Sequence, residues 1–246
     1  MPFTFAHPAI ILPLTRTKYT SASALVIGSI IPDFEYFFRL RIESKFSHTI
    51  MGMFYFDLPI TIICCFIFHL VVRDKIRSNL PKPIAERLNG IPIVDWLNTF
   101  KKNWLIIIVS ALLGISSHLL WDSFTHEHGY FVERISALHN NLFIGNINIP
   151  VYKLIQHSST LVGFAVIVCV IYMMPRTKKI DVKSNAGFWP TVLFTVIILI
   201  SIRLVVNPTS NMGNILVTVI AGVLLGVCIA SFKTINHVNF KKSCCK

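Results

Sequence analysis

Residues 104–121 read WLIIIVSALLGISSHLLW, and this stretch decides the class of fold. It contains no Lys, Arg, Asp or Glu, and its Ile, Val and Leu residues do not alternate regularly with polar residues. About 20 predominantly apolar residues are needed to cross the hydrocarbon core of a bilayer as an α-helix. An unbroken apolar run is typical of a helix in lipid, whereas the strands of a membrane barrel alternate in hydrophobicity. The stretch therefore predicts a transmembrane helix.

The same pattern recurs along the chain, once in a modified form. It is found in segments 52–72, 154–174, 188–206 and 215–232. A further segment, 20–38, begins apolar but then reaches Pro32-Asp33. Proline interrupts the hydrogen bonds of a helix and a carboxylate is costly in lipid, so this segment is predicted to dip into the bilayer or to end inside the bundle. We expect an all-α, polytopic transmembrane helical bundle of five to six spans that forms a single domain, residues 1–246.

The composition of the whole chain agrees with a membrane protein. Of its 246 residues, 54% are hydrophobic and only 14% are charged, whereas an average soluble domain carries about 25% charged residues. This excludes an intrinsically disordered chain and argues against a soluble globular enzyme. The net charge of +12 lies in short clusters between the apolar runs. We therefore expect the lipid bilayer, and not nucleic acid, as the partner of the basic residues, while the oligomeric state stays open.

The distribution of Lys and Arg predicts the orientation of the spans. Basic residues are frequent in loops 73–103 and 175–187 and in the tail 233–246, and rare in loops 122–153 and 207–214. By the positive-inside rule, the first group is cytoplasmic and the second faces outward. The basic residues near the N-terminus do not decide on which side that end lies.

Three parts are distinguished within the predicted domain. Residues 1–174 carry the motifs described below, residues 188–232 hold two generic spans, and residues 233–246 form a basic cytoplasmic tail. The N-terminal stretch MPFTFAHPAIILPL lacks the basic start and the small-residue cleavage site of a signal peptide. It is predicted to belong to the mature fold.

Histidines and carboxylates gather at the predicted outer ends of the spans. Residues 116–129 read SSHLLWDSFTHEHG, in which His118, Asp122 and His126 follow one another at intervals of four. These three share one face if the helix continues through Thr125. The same end is predicted to receive further candidates from other segments, namely His48 and Asp57 near the start of segment 52–72, His157 near the start of segment 154–174, Asp33 in the broken segment, and His7.

This residue set predicts a metal site. Mixed imidazole and carboxylate ligands suit Zn²⁺, Mn²⁺ or Fe²⁺. The predicted ligands of a divalent metal, with zinc the first choice, are His7, His48, His118, Asp122, His126 and His157. A metal with an open position lowers the pKa of bound water toward 7, which yields a hydroxide nucleophile for ester or phosphoester cleavage. Asp33 or Glu35 is the predicted general base. A lipid or lipid-linked phosphoester is the expected substrate, because a site at this depth meets headgroups first.

Other interpretations remain open at the level of sequence. His118 and Asp122 could form a hydrogen-bonded pair at a helix end, and Glu35 could simply pair with Arg39, four residues on. An ion- or proton-coupled carrier would use Asp33 as a buried proton site. A structural membrane protein would use the polar cluster only to fix helix packing through interhelical hydrogen bonds.

Five motifs, in order, carry a family resemblance. They are MPFTFAHPAIILPL, SALVIGSIIPDFEYFFRL, FSHTIMGMFYFDLP, SSHLLWDSFTHEHG and LIQHSST. Over residues 1–174 the chain resembles the bacterial membrane proteins catalogued as domain of unknown function 4184, which implies a multi-pass protein of the bacterial cytoplasmic membrane. It is more weakly similar to inner-membrane proteins called metal-dependent hydrolases. Their Pro-Asp, His-Ser and His-x-x-x-Asp elements would correspond to Pro32-Asp33, His48-Thr49 and the His118–Asp122 pair.

Overall fold

The computed structural model of the chain describes residues 3–145, 147–177, 184–208 and 211–243. Lys178, Lys179 and Lys183 of the predicted cytoplasmic loop and residues 244–246 of the predicted basic tail lie outside the described residues. Helices dominate the described residues, so the prediction of an all-α polytopic helical bundle is confirmed.

Five helices of the described chain are long and apolar enough to cross a membrane. They are Ile50–Asn79, Trp96–Thr125, Val151–Met173, Phe188–Val206 and Met212–Lys233. The first two extend beyond the predicted spans 52–72 and 104–121. In the second, the backbone is non-helical at Asn103, so a kink separates the residues before it from the predicted span. Large apolar side chains on these helices, such as Leu161, Leu193 and Val205, stay exposed. The bilayer is the environment in which such a surface is stable.

The helices and strands follow one another in a simple order. The α-helices are α1 (Pro8–Ile11), α2 (Ala22–Gly28), α3 (Phe34–Arg39), α4 (Ile50–Gly52), α5 (Leu58–Ile67), α6 (Arg73–Asn79), α7 (Lys82–Leu88), α8 (Trp96–Thr125), α9 (Ser136–His139), α10 (Val151–Met173), α11 (Phe188–Val206) and α12 (Met212–Ser243). Short 3-10 turns cover Thr4–Ala6, Leu12–Arg16 and Ile31–Asp33, and π-helical turns cover Met53–Asp57 and Phe68–Val72 within the first span. Strands β1 (Asn141–Ile144) and β2 (Ile147–Pro150) form an antiparallel hairpin in the predicted outer loop.

Two segments show how proline shapes this chain. Segment 20–38 is broken as predicted: α2 ends at Gly28 and a 3-10 turn carries Pro32 before α3 begins. Neither piece is long enough to cross the bilayer alone. The predicted linker 73–103 is largely helical, because Pro83 lies in the first turn of α7, where a missing N–H costs nothing.

The chain divides into two compact units. The first comprises Met1–Asp33, Phe46–Ile62 and Phe100–Val170, and the second comprises Phe34–Lys45, Ile63–Thr99 and Ile171–Lys246. In the second unit, Phe188 and Val192 of α11 pack with Val227 and Ala230 of α12. The single domain expected from sequence stays a prediction.

Small residues bring α2 and α8 of the first unit into close contact. A Cβ atom on Gly28 would lie 2.6 Å from the Ala111 carbonyl oxygen, and one on Gly114 would lie 2.4 Å from the Leu25 carbonyl oxygen. Leu25 and Ala111 are fully buried between the two helices. Small residues are the usual means of close helix packing within membranes. The contact places the C-terminal end of α2 directly against α8.

The N-terminal segment packs on α10 by the same principle. A Cβ atom on Gly163 would lie 2.9 Å from the Ala6 carbonyl oxygen. The Phe3 N–H donates a hydrogen bond of 3.1 Å to Thr160 Oγ1, and the Phe3 ring contacts Phe164. The first residues of the chain are therefore held in place before His7.

Candidate metal centre

The last turns of α8 carry the central pair of the site. His118 and Asp122 lie one turn apart, and His118 Nε2 is 3.3 Å from Asp122 Oδ2. His118 is completely buried and Asp122 is nearly so. The helix continues to Thr125, as the shared face of these residues requires.

The ring orientation of His118 is fixed by the end of α2. His118 Nδ1 donates a hydrogen bond of 2.8 Å to the Ser29 carbonyl oxygen, which can only accept. Nδ1 therefore carries the ring proton, and in the neutral imidazole Nε2 presents a lone pair. That Nε2 has no hydrogen-bond partner among the described residues. Metal-binding histidines typically show this arrangement, with the second nitrogen bonded to a carbonyl or carboxylate.

Asp33 reaches the same point from the 3-10 turn after Pro32. Its carboxyl group is buried, and Thr4 Oγ1 donates a hydrogen bond of 2.5 Å to Oδ2. The other oxygen, Oδ1, lies 3.7 Å from both His118 Nε2 and His48 Nε2. The proline-interrupted segment thus directs its acid into the site.

His48 is presented by a tight turn before α4. Thr49 caps α4, since its Oγ1 accepts a hydrogen bond of 2.9 Å from the Gly52 N–H. A Cβ atom on Gly52 would lie only 1.8 Å from the Phe46 carbonyl oxygen, so this turn requires glycine. Within the turn, His48 Nδ1 lies 3.0 Å from Ser47 Oγ. His48 Nε2 lies 3.5 Å from Asp122 Oδ2.

The distances among these groups fit ligand atoms around a common ion. Four ligand atoms in a tetrahedron at about 2.0–2.1 Å from a metal lie roughly 3.3–3.4 Å from one another. The four imidazole–carboxylate distances here are 3.3, 3.5, 3.7 and 3.7 Å. An ordinary N–H···O hydrogen bond is about 2.7–3.2 Å long. The groups are therefore spaced as metal ligands are.

Two further histidines approach Asp122 from its other oxygen. His7 Nε2 lies 3.6 Å from Asp122 Oδ1, and the His7 ring stacks on His118 with ring centroids 3.7 Å apart. His126 Nδ1 lies 3.5 Å from the same Oδ1, and it is also 3.2 Å from the Asp122 carbonyl oxygen. Burial lowers the pKa of the His7 imidazole well below its ordinary value. Burial also raises the pKa of the Asp33 carboxyl group. In each case burial penalises the charged form, whereas a cation bound beside Asp33 would act in the opposite direction and favour its carboxylate.

Other residues predicted from sequence do not belong to the groups of ligand atoms that lie close together among the described residues, namely His126, His157, Glu35 and Asp57. His157 is exposed on α10. Glu35 belongs to the second unit, where its carboxylate pairs with Arg39 at 2.8 Å and accepts hydrogen bonds from Ser44 and the Lys45 N–H. The pairing of Glu35 with Arg39, the alternative left open by the sequence, is thus present. Asp57 is buried in a π-helical turn of the first span.

Several residues that build the site were missed in the sequence. Thr4 holds Asp33, and the Ser29 carbonyl orients His118. Nothing in the sequence signals the role of Thr4. The close approach of α2 was detectable, because Ala24 and Gly28 form a small-x-x-x-small pattern of the kind found at helix interfaces in membranes.

Fold and cluster together define a multi-pass helical membrane protein with a buried histidine–aspartate site. The chain belongs to the family described as Domain of unknown function (DUF4184), whose model matches residues 1–232. The resemblance noted over residues 1–174 is therefore confirmed and extends through the last two spans. Neither the curated proteins nor the solved structures contain a significant match to this chain. The weaker likeness to metal-dependent hydrolases stays a prediction.

Proposed function

We propose that this protein is a metal-dependent hydrolase of the bacterial cytoplasmic membrane that acts on a lipid or lipid-linked ester at the outer face. The observation that carries the proposal is the convergence of His48, His118, Asp33 and Asp122 from three separate segments onto one buried point. The cluster lies where α8 ends and the first span begins. The positive-inside rule assigns these ends of the two spans to the outer face.

We assign roles to the four residues from their distances. The shorter contacts, 3.3 and 3.5 Å, join Asp122 to His118 and His48. Two histidines and one carboxylate form a ligand set of catalytic zinc sites, which keep a position open. Asp33 stands 3.7 Å from both imidazoles and is assigned as the general base. A divalent ion bound there would lower the pKa of its bound water and so supply hydroxide near neutral pH. Asp33 accepts the proton released, with Thr4 holding its other oxygen in place.

An apolar groove beside the cluster supports a lipid substrate. The groove has a volume of about 440 Å³ and runs between the N-terminal segment, Trp121 and the face of α10 from Ile155 to Val166. At 1.5 Å per residue this face is about 16 Å long, roughly half of the ~30 Å hydrocarbon core. The length of this face therefore matches the thickness of one leaflet, which is the length that one acyl chain spans. His7 lines the groove and also contacts Asp122, so a chain in the groove places its headgroup linkage near the site.

Loss of the metal ligands tests the metal itself. The detergent-purified wild-type protein is expected to retain at least one equivalent of a divalent metal per chain by mass spectrometric metal analysis. The His118→Ala, Asp122→Ala double variant is expected to retain only trace metal, because two ligands of the same ion are removed. His157→Ala is the matched control, since this exposed histidine lies outside the cluster. Equal trace metal in the wild type and the double variant would end the metal proposal.

Blocking the groove tests the lipid. Val162 and its neighbour Leu161 are both exposed, but only Val162 lines the groove. A phosphatidylglycerol with a diazirine in one acyl chain is expected to crosslink to α10 in wild-type protein and in Leu161→Trp. In Val162→Trp the crosslinking should fall at least several-fold, because the indole fills the groove. Peptide mapping by mass spectrometry gives the yield, and equal yields in both variants would contradict a groove-bound chain.

A further inference from the structure

Asp122 faces different imidazoles with its two carboxylate oxygens. Oδ2 lies 3.3 Å from His118 Nε2 and 3.5 Å from His48 Nε2. Oδ1 lies 3.6 Å from His7 Nε2 and 3.5 Å from His126 Nδ1. A single ion bound by His118 and His48 accounts for the first pair of contacts but not for the contact of His7, whereas His126 Nδ1 donates a hydrogen bond to the Asp122 carbonyl oxygen. A carboxylate with an imidazole on each of its two oxygens, here His118 on Oδ2 and His7 on Oδ1, is arranged as a bridge between two ions.

The stacked rings of His7 and His118 give the spacing of such a bridge. Their centroids are 3.7 Å apart and their planes differ by 14°. The Nε2 atoms of both rings approach the same carboxylate, so both nitrogens lie at the same end of the stack. Ions bound to these two nitrogens in the ring planes would be separated by about the distance between the rings. Two-metal hydrolytic sites hold their ions roughly 3.5–4 Å apart.

His7 has the surroundings expected of a metal ligand. It is only 5% exposed, and neither of its ring nitrogens has a hydrogen-bond partner among the described residues. A buried polar atom without a partner is costly, so such an atom calls for a ligand. The segment that carries His7 is anchored by two contacts just before this residue, the Thr4–Asp33 hydrogen bond and the packing of Ala6 on Gly163. The same short segment therefore positions both the general base and the additional histidine.

We infer that the centre is binuclear: Asp122 bridges two divalent ions, one held by His48 and His118 and the other by His7 with His126 beside it. This inference rests on the proposed metal-dependent function and narrows its substrate class. Paired ions stabilise both the attacking and the leaving oxygen of an in-line displacement, which is the chemistry of phosphoester cleavage. The substrate is thus a phosphoester whose apolar chain occupies the groove next to His7.

The reaction balances with the residues described. Water gives one proton to Asp33, and its oxygen attacks phosphorus while the bond from phosphorus to the leaving oxygen breaks. The leaving oxygen takes its proton from Asp33. The products are the free alcohol and a phosphate in which a hydroxyl group has replaced the alcohol. Asp33 returns to its ionised state.

Metal stoichiometry tests the second ion separately from the first. After loading with Zn²⁺ and removal of excess metal, the wild type is expected to retain two equivalents per chain. His7→Ala should retain one, and His157→Ala should retain two. One equivalent in the wild type, unchanged by His7→Ala, would overturn the binuclear centre and leave the mononuclear hydrolase standing. Trace metal in the wild type would overturn both.

Electron paramagnetic resonance gives a second measurement, whose main result comes from the wild-type protein. Wild-type protein loaded with two equivalents of Mn²⁺ is expected to show an exchange-coupled spectrum, because ions about 3.5–4 Å apart interact strongly. His7→Asn, which lacks the imidazole but stays close to its size, should show the six-line signal of an isolated ion. An uncoupled six-line signal from the wild type at two equivalents would contradict a shared carboxylate bridge.

Discussion

Replacement of Asp33 by Asn is expected to abolish most of the hydrolytic activity while the metal content stays at the wild-type level. The amide keeps the shape of the side chain and can still accept the hydrogen bond from Thr4, but it cannot take up a proton. Loss of a positioned general base typically costs about 10²–10⁴-fold in rate. Release of inorganic phosphate from phosphatidic acid vesicles, compared with metal content on the same samples, gives both readouts.

Glu35→Gln is the matched control for Asp33→Asn. Glu35 was the other general base predicted from the sequence, and it is a buried acid only two positions away. Because its carboxylate pairs with Arg39, its amide variant is expected to retain activity. Loss of metal in Asp33→Asn would instead make Asp33 a ligand. Full activity in Asp33→Asn would remove it from the mechanism. A purely structural cluster predicts no activity in the wild type and lower stability in the variant.

Replacement of Gly114 by Ala is expected to destabilise the protein and to weaken metal binding. The added Cβ would lie 2.4 Å from the Leu25 carbonyl oxygen and 2.9 Å from the Ser29 backbone nitrogen. These are backbone atoms, so α2 has to move away from α8 as a whole. Overpacking of this kind typically lowers the free energy of unfolding by about 1–3 kcal/mol. The shift also lengthens the bond from His118 Nδ1 to the Ser29 carbonyl, and loss of such a partner lowers metal affinity about 10–100-fold.

The sign of this effect makes the test decisive. At an open helical position, Gly→Ala raises helix stability by about 1 kcal/mol, the opposite direction. Equilibrium unfolding in mixed micelles measures the free energy of unfolding, and competition with a chelator measures the metal affinity. Leu113→Ala is the control, since that side chain is exposed and lies next to Gly114. An alanine variant at residue 114 that is more stable than the wild type, with unchanged metal affinity, would contradict the close packing of α2 on α8.

The Asp33 and Gly114 variants test different properties of the protein. Asp33→Asn tests the proposed chemistry, whereas Gly114→Ala tests the packing of α2 on α8 that creates the site.

The sequence by itself determined the five spans and the shared face of His118 and Asp122. Both depend on local properties. The free energy of transferring an apolar run into lipid is nearly the sum of contributions from its individual residues. An interval of four residues on a helix places two side chains one above the other. The break at Pro32 was predictable for the same reason, since proline acts on its own turn.

Only the tertiary structure decided which distant residues meet. Asp33, His48 and His7 reach α8 because glycines at positions 28, 52, 114 and 163 let backbone segments approach more closely than any side chain would permit. That approach depends on the fit of whole surfaces, which no local pattern records. The sequence accordingly proposed His157 and Glu35 on equal terms with the others, whereas one is exposed and the other pairs with Arg39. Which oxygen of Asp122 faces which imidazole is likewise a property of packing, because it is set by the relative placement of three chain segments.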